Sequence, residues 1–435
     1  MGSEIDAELG RQVKVENEQG HLLAALDIGT SKISVAVARI QGDGEPRLIG
    51  FGKVASRGIK QGCVQNIELA VTSIRNALEE AKEISRVEEI PRVCVALTGK
   101  GLYSINKLGT VVLQDGQVTE SDMKHAQELA LAFDSKEDGH SPDDRIISHI
   151  LQMYTIGSDD TPIYDSPVGF KGNVLRAHAH LAIGPDSVVR NLLTCVRRAG
   201  VEVDELLLQP WASAASCLTP TEKRLGVIML DFGAGLTDIA CYKDDVIQYT
   251  AVAAAGGNLF TNDIATYLKC TIEEAEHIKL AYGHIPERPG DRYEKIRYTD
   301  EVTGREKVVV SSELVSVIEQ RLRELVRVLR TYYLDREGWT QQAAAGVVIT
   351  GGMAQMPGFD KMVEEELQLK VRVGRPRIYS ETGVSLNSPG DSTVMGVIDE
   401  VMRRRRIGER SKKNSRGGSP IWRSLKRFWI GDFAD

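Results

Sequence analysis

Nowhere in its 435 residues does this chain run 18 apolar residues together, and its first 21, MGSEIDAELGRQVKVENEQGH, lack the apolar stretch of a signal peptide. A membrane-spanning helix and a secretory signal are therefore not expected, and the opening residues read as a disordered leader. The six cysteines (Cys63, Cys94, Cys195, Cys217, Cys241 and Cys270) are scattered, with no C-x-x-C pair and no histidine at ligand spacing. Neither a disulfide framework nor a zinc site is indicated, which fits a reducing cytoplasm.

Net positive charge is also absent until the end of the chain. The formal charge is −7, yet residues 403–435 alone carry 11 Lys and Arg against Glu409, Asp432 and Asp435, a net of +8 that leaves −15 for the body. An acidic body argues against a nucleic-acid partner, because phosphate backbones are held by clustered cations. The basic end needs a different one.

What the body does contain is a repeat. LLAALDIGTSKISVAVARI (22–40) and GVIMLDFGAGLTDIACYKD (226–244) each read as an apolar strand, L-D-x-G, a small or polar turn and a second β-rich strand. Asp27 and Asp231 align, 204 residues apart. Such a hairpin ends its first strand on a carboxylate and turns through Gly29 or Gly233, where the missing Cβ lets backbone N–H groups approach an anion. The carboxylate would repel phosphate unless a divalent cation lay between, and Mg²⁺ is commonly held by one or two carboxylates, waters and phosphate oxygens. A lone D-x-G is usually only a turn; two matched copies point to a nucleotide clamp. A third signal, VVITGGMAQMPGF (347–359), runs from a strand into Gly351-Gly352, where a flat ring can lie on bare backbone, and on to a helix from Phe359.

Taken in order, DIGTSK, LQPWASAAS, LDFGAGLTDIA, GGNLFTNDIA, AEHIKLAYG and TGGMAQMPGF resemble the ATPase fold shared by actin, heat-shock chaperones and sugar kinases, and within it the FtsA family of bacterial cell-division proteins. The similarity runs from about Leu22 to Asp435, apart from a diverged stretch near 285–310. It implies an α/β, actin-like two-lobed ATPase fold of duplicated ribonuclease-H-like domains with an inserted α+β subdomain, 1C. It further implies bound ATP and Mg²⁺. Asp27 and Asp231 would orient the hydrated metal. Gly29, Thr30, Ser31 and Lys32 would surround the phosphates from one side, and Gly233, Gly235 and Thr237 from the other. Gly256, Gly257 and Asn258 fall near phosphate and ribose, Glu276 and Lys279 flank the adenosine, and Gly351, Gly352 and Met353 match the adenine turn. Gln209 stands where related ATPases position the attacking water; it also precedes Pro210, which by itself ends a strand. Binding loops alone leave open whether ATP is hydrolysed.

The same resemblance divides the chain into a leader (1–21), a first lobe (22–100, 183–225 and a closing region 376–402), the 1C insert (101–182), a second lobe (226–275 and 341–375) and subdomain 2B (276–340). In the insert, Thr119 reads as the N-cap of an amphipathic helix, and PVGFKGNVLRAHAHLAIG as alternating β material. Subdomain 1C would contact neighbouring subunits or other division proteins. Its histidines, including His149, His178 and His180, read more simply as structural than as metal ligands. In 2B, SSELVSVIEQRLRELVRVLRTYYL (311–334) presents one apolar helix face, its Glu and Arg a solvated one. There the family docks the C-terminal peptide of the tubulin-like FtsZ, which makes Arg321, Arg323 and Arg327 candidate contacts.

Residues 403–418 have the composition of a flexible basic linker. Beyond it, SPIWRSLKRFWIGDFAD forms an amphipathic pattern at 419–431: Ile421, Trp422, Leu425, Phe428 and Trp429 on one stripe, Arg423, Lys426 and Arg427 opposite. A helix of about 12 residues spans about 18 Å, short of a hydrocarbon core of about 30 Å, so it would lie in the interface of an anionic membrane. A helix-in-groove target is the alternative. The reading is an ATP-binding protein that polymerises on the cytoplasmic face of the membrane and tethers the FtsZ ring. Its rivals are a small-molecule kinase, or a pilus-assembly or chaperone ATPase of the same fold.

Overall fold

The two L-D-x-G segments form the same hairpin in the computed structural model, which describes residues 21–41, 44–135, 139–286, 294–377 and 386–414. In the first, β1 (His21–Ile28) pairs antiparallel with β2 (Lys32–Ile40), Asp27 facing Ser34. Next along the chain come β3 (Arg47–Ala55), the short β4 (Ile59–Lys60) and β5 (Cys63–Val64), helix α1 (Ile67–Ser85) and β6 (Arg92–Leu97). Helix α1 starts where the Asn66 side chain accepts from the Leu69 N–H, and its Ala70, Ile74, Ala77 and Ala81 stripe is buried.

The insert follows as β7 (Tyr103–Val112), α2 (Glu120–Leu131), β8 (Asp144–Ile156), β9 (Asp159–Ile163) and β10 (Val174–Pro185). Thr119 caps α2 as its sequence foretells, in a reciprocal capping box with Asp122. Then come α3 (Asp186–Arg198), β11 (Glu202–Leu208), α4 (Gln209–Cys217) and α5 (Pro220–Leu225). The second hairpin is β12 (Val227–Phe232) with β13 (Thr237–Lys243), Asp231 facing Asp238. After it run β14 (Val246–Ala253), α6 (Asn258–Leu268), α7 (Ile272–Tyr282), β15 (Lys295–Asp300), β16 (Arg305–Val310) and α8 (Ser311–Leu329), which ends in a π-helical turn, Arg330–Asp335. The chain finishes through α9 (Trp339–Gln342), β17 (Val347–Thr350), α10 (Phe359–Leu367), β18 (Val371–Val373) and α11 (Ser392–Asn414).

These elements pack as two compact units. Among the described residues, one comprises those within 21–97, 190–217 and 375–414, the other those within 98–189 and 218–374. The first holds a five-stranded sheet in the order β11-β6-β1-β2-β3. The second repeats it as β18-β17-β12-β13-β14. In both, the carboxylate-bearing strand pairs antiparallel with its hairpin partner and parallel with the strand on its other side. That is a duplicated α/β unit. Both central strands are buried on both faces, which is why they read as unbroken apolar runs.

In the second unit the insert's strands extend the same sheet, as β14-β7-β10-β8-β9. The join is a single backbone pair, Ala251 with Tyr103. Beside it Ser104 Oγ donates to the Thr250 carbonyl at 2.8 Å, and Asn106 Nδ2 donates to the Gln248 carbonyl at 2.8 Å. By packing, therefore, the insert belongs with residues 218–374 and not with the first lobe that flanks it in sequence.

Two expectations change. Residues 403–414 continue α11 and are not a flexible tether: Arg and Lys are good helix formers, and Glu400 accepts from both Arg403 and Arg404 at 2.6–2.8 Å. Burial opposes charge on Glu400, and the two guanidinium groups outweigh it, holding its carboxyl down to about 2. The diverged stretch near 285–310, given no structure from sequence, holds the β15–β16 hairpin. The leader (1–20), the rest of the linker and the amphipathic peptide with Ile421, Trp422, Arg423, Leu425, Lys426, Arg427, Phe428 and Trp429 lie outside the described residues.

Candidate phosphate and adenine loops

In the first unit Asp27 sits at the buried end of β1, and Gln209, the first residue of α4, donates from Nε2 to its Oδ1 at 2.5 Å. Residues 182 apart in sequence thus meet because α4 follows β11, two strands away in the same sheet. The turn closes with the Gly29 N–H donating to the Lys32 carbonyl at 3.0 Å, which leaves Thr30 half-buried and Ser31 exposed at its tip. The Lys32 ammonium turns to Asp391, at 3.2 Å.

In the second unit Asp231 ends β12 in the same way, and the Gly233 N–H donates to the Leu236 carbonyl at 2.9 Å. Gly235 lies in that turn. Thr237 begins β13, its hydroxyl spent on the Ala255 carbonyl at 2.8 Å. The Gly256-Gly257-Asn258 segment closes over the turn: the Gly257 N–H donates to the Gly233 carbonyl (2.9 Å) and the Asn258 N–H to the Ala234 carbonyl (2.7 Å). A Cβ on Gly256 would stand 2.6 Å from the Gly233 oxygen, so only glycine permits this approach. Helix α6 starts here with no side-chain cap, its first two amides spent on the Ala234 carbonyl (Asn258) and the Gly256 carbonyl (Leu259).

The adenosine residues fall in the same place. The buried Lys279 donates to Glu276 Oε2 (2.6 Å), Thr261 Oγ1 (2.9 Å) and the Gly257 carbonyl (3.3 Å), tying α7 to the glycine turn. A Cβ on Gly257 would meet Met353 at 3.4 Å. Gly351 has φ +89°, and a side chain there would collide with the Asp231 carboxylate. Beside it Gly352 is exposed, with no atom within 4 Å of where a Cβ would stand. Bare backbone, the Asp231 carboxylate and an open face beside the paired glycines form a surface that fits a nucleotide. Among the described residues no group of three His, Cys, Asp or Glu side chains is placed to hold a metal, so any cation here would rely on single carboxylates, waters and phosphate oxygens. A polar cleft of about 650 Å³, lined by Ser104, Asn106, Lys243, Gln248, Glu337 and Trp339, opens elsewhere in this unit and includes none of these residues.

The arginines of α8 are paired with carboxylates, Arg321 and Arg323 half-buried and Arg327 exposed. Arg321 forms a two-pronged pair with Asp263 on α6 (2.5 and 3.0 Å). Arg323 reaches Glu319, Glu365 and Glu366, and Arg327 reaches Glu366 at 2.9 Å. The hydrogen bond that Arg323 donates to Glu366, then that to Glu319, holds its guanidinium above the usual range, and Arg327 first of all holds Glu366 below the usual carboxylate range. His180 is structural: fully buried between Asn106 Oδ1 (2.7 Å) and Thr250 Oγ1 (2.9 Å), it is pushed down to about 3 by desolvation. Two residues that the sequence did not single out, Lys53 and Asp391, stand beside Lys32; they lie 338 apart in the chain, and no local pattern announces the pair.

The family model for the cell division protein FtsA matches residues 228–396. The cell division protein FtsA of Neisseria meningitidis is 34% identical over 386 residues, 88% of this chain and 90% of that protein. The chain belongs to the FtsA family. The FtsA of Pseudomonas aeruginosa, 32% identical over 424 residues, extends the match to 96% of this chain and 99% of its own length. Family membership makes this a cell-division protein. Among solved structures, the PilM–PilN type IV pilus biogenesis complex superposes with TM-score 0.61 at 18% identity, covering 87% of this chain and 98% of that one. MreB5 of Spiroplasma citri bound to ADP gives TM-score 0.52 at 15% identity, covering 91% and 100%. At such identities the likeness concerns fold alone, and the fold is the actin-like one. Among the described residues no helix is long and apolar enough to cross a membrane.

Proposed function

We propose that this FtsA-family chain binds a magnesium-bound adenine nucleotide, polymerises on the cytoplasmic face of the membrane at the division septum, and anchors FtsZ filaments there. The observation that carries the reading is the convergence in one unit of the 233–236 turn, the Gly256–Asn258 segment, Glu276 with Lys279, and the Gly351–Met353 turn. In its own unit each of Asp27 and Asp231 offers a carboxylate to hydrated Mg²⁺, and Gln209, bonded to Asp27, positions the attacking water where hydrolysis occurs. That MreB5, of like fold, was solved with ADP supports an adenine nucleotide.

The basic amphipathic peptide 419–431 supplies the membrane attachment, weak for one molecule and avid for a filament. FtsZ's acidic C-terminal peptide docks on 2B, where Arg327, 65% exposed, is the most open of the three candidate arginines. Subdomain 1C receives other subunits and division proteins. Isothermal calorimetry of Mg-ATP with Asp231→Ala tests the core of the reading: the variant is expected to lose magnesium-dependent affinity. Unaltered binding would discard it.

A further inference from the structure

Lys32, the lysine that the family resemblance assigns to phosphate, is held by another group in the first unit. Its ammonium donates to the Gly390 carbonyl and lies 3.2 Å from Asp391 Oδ1; Lys53 Nζ lies 3.0 Å from that same oxygen. Asp391 closes the 3₁₀ turn Pro389–Asp391 that leads into α11, and its side chain is 5% exposed against 24% and 41% for the two lysines.

Strand register explains how they meet. Ser34 lies opposite Asp27 on β1 and opposite Lys53 on β3, and Lys32 is two residues from Ser34. Asp27, Lys32, Ser34 and Lys53 therefore project from one face of the sheet. The Ser34 hydroxyl on that row is fully buried with no protein partner. Asp391 gives one oxygen to two ammonium groups; further carboxylates nearby are Asp27 on the same row and Glu80, which accepts from the Lys53 N–H at 3.0 Å. Held on a single oxygen, the two cations also repel each other. An oxyanion with several oxygens, such as a phosphate, can satisfy both.

We propose that Lys53 is a second phosphate-directed cation of the first loop and that Asp391 is the resident counter-ion of both lysines, competing with bound phosphate for them. This rests on the nucleotide reading above, and adds two residues to it. An arriving phosphate draws Lys32 and Lys53 away from Asp391, and affinity reflects the difference between the two partners.

The competition gives opposite signs to two substitutions. Affinity for Mg-ATP in calorimetric titration of the full chain should weaken about two- to fivefold in Lys53→Met, by the order of one exposed ion pair. It should weaken less at high salt. Asp391→Asn should bind Mg-ATP more tightly by a similar factor while its ligand-free Tm falls. A purely structural Asp391 would lower Tm and affinity together, and that result overturns the proposal, as does unchanged affinity in Lys53→Met. If Asp391→Asn does not fold, Lys53→Arg decides: it keeps the charge and should restore what Lys53→Met loses, and absence of that rescue overturns the proposal. A wild-type chain that binds no Mg-ATP removes the nucleotide reading and this inference with it. Wild-type binding with indifferent variants removes this inference alone.

Discussion

The Gln209 side-chain amide donates to the Asp27 carboxylate at 2.5 Å, with both residues buried. The contact orients the carboxylate from one side.

Gln209→Glu places two carboxyl groups at that distance, and one of them must stay protonated. Its folded-state pKa is raised, so the folded chain keeps a proton that the unfolded chain releases, and stability is lost as pH rises through the raised value. The Tm of the variant relative to the unaltered chain is expected to fall by about 2 °C or more between about pH 5 and about pH 8. A pH-independent difference would remove the contact from the argument.

Gly351 and Gly352 are adjacent glycines with different demands. Gly351→Ala forces a side chain into a left-handed conformation against Asp231, and should cost about 1–3 kcal/mol and abolish nucleotide binding. Gly352→Ala meets no protein atom, and should leave stability within about 0.5 kcal/mol while weakening nucleotide binding. Thermal unfolding with calorimetry separates the two. A Gly351→Ala protein as stable as the parent contradicts the packing described.

His180 is depressed from 6.5 to about 3, with desolvation as the cause. The folded state therefore holds it neutral while the unfolded state takes up a proton. Its contribution is complete above the unfolded value near 6.5 and is lost as pH falls towards 3, at up to about 1.4 kcal/mol per pH unit. His180→Gln should flatten that part of the stability profile in urea titrations at several pH values. An unchanged slope would mean that other groups carry it.

Deleting residues 419–435 should leave a chain that folds and binds nucleotide yet no longer sediments with anionic liposomes. Undiminished sedimentation would refute the assignment of the tail.

Local patterns carried much of the fold into view. Both hairpins, the Thr119 cap and the helix after Phe359 follow from periodicity and capping chemistry, which act over a few residues. Duplication was legible because an apolar strand, L-D-x-G and a second β-rich strand recur around Asp27 and Asp231, and the structure adds that their strand partners, Ser34 and Asp238, stand in equivalent register. Pairings between distant residues were not. Asp391 reaches Lys32 and Lys53, and Arg321 reaches Asp263, through tertiary packing, which leaves no spacing rule in the chain. The extent of α11 was hidden for another reason: a run of like charges has the composition of a tether, and only the Glu400 contacts with Arg403 and Arg404 disclose that the helix continues.

The junction of β14 with β7 has a wider consequence. One backbone pair and a few side chains, Ser104, Asn106 and Thr250 among them, join two ladders that are otherwise complete. Backbone hydrogen bonds are indifferent to sequence, whereas side-chain stitches can be rewritten one codon at a time. The orientation of the insert is thus open to evolutionary adjustment without unpicking either sheet, a freedom that a fully laddered seam would withhold.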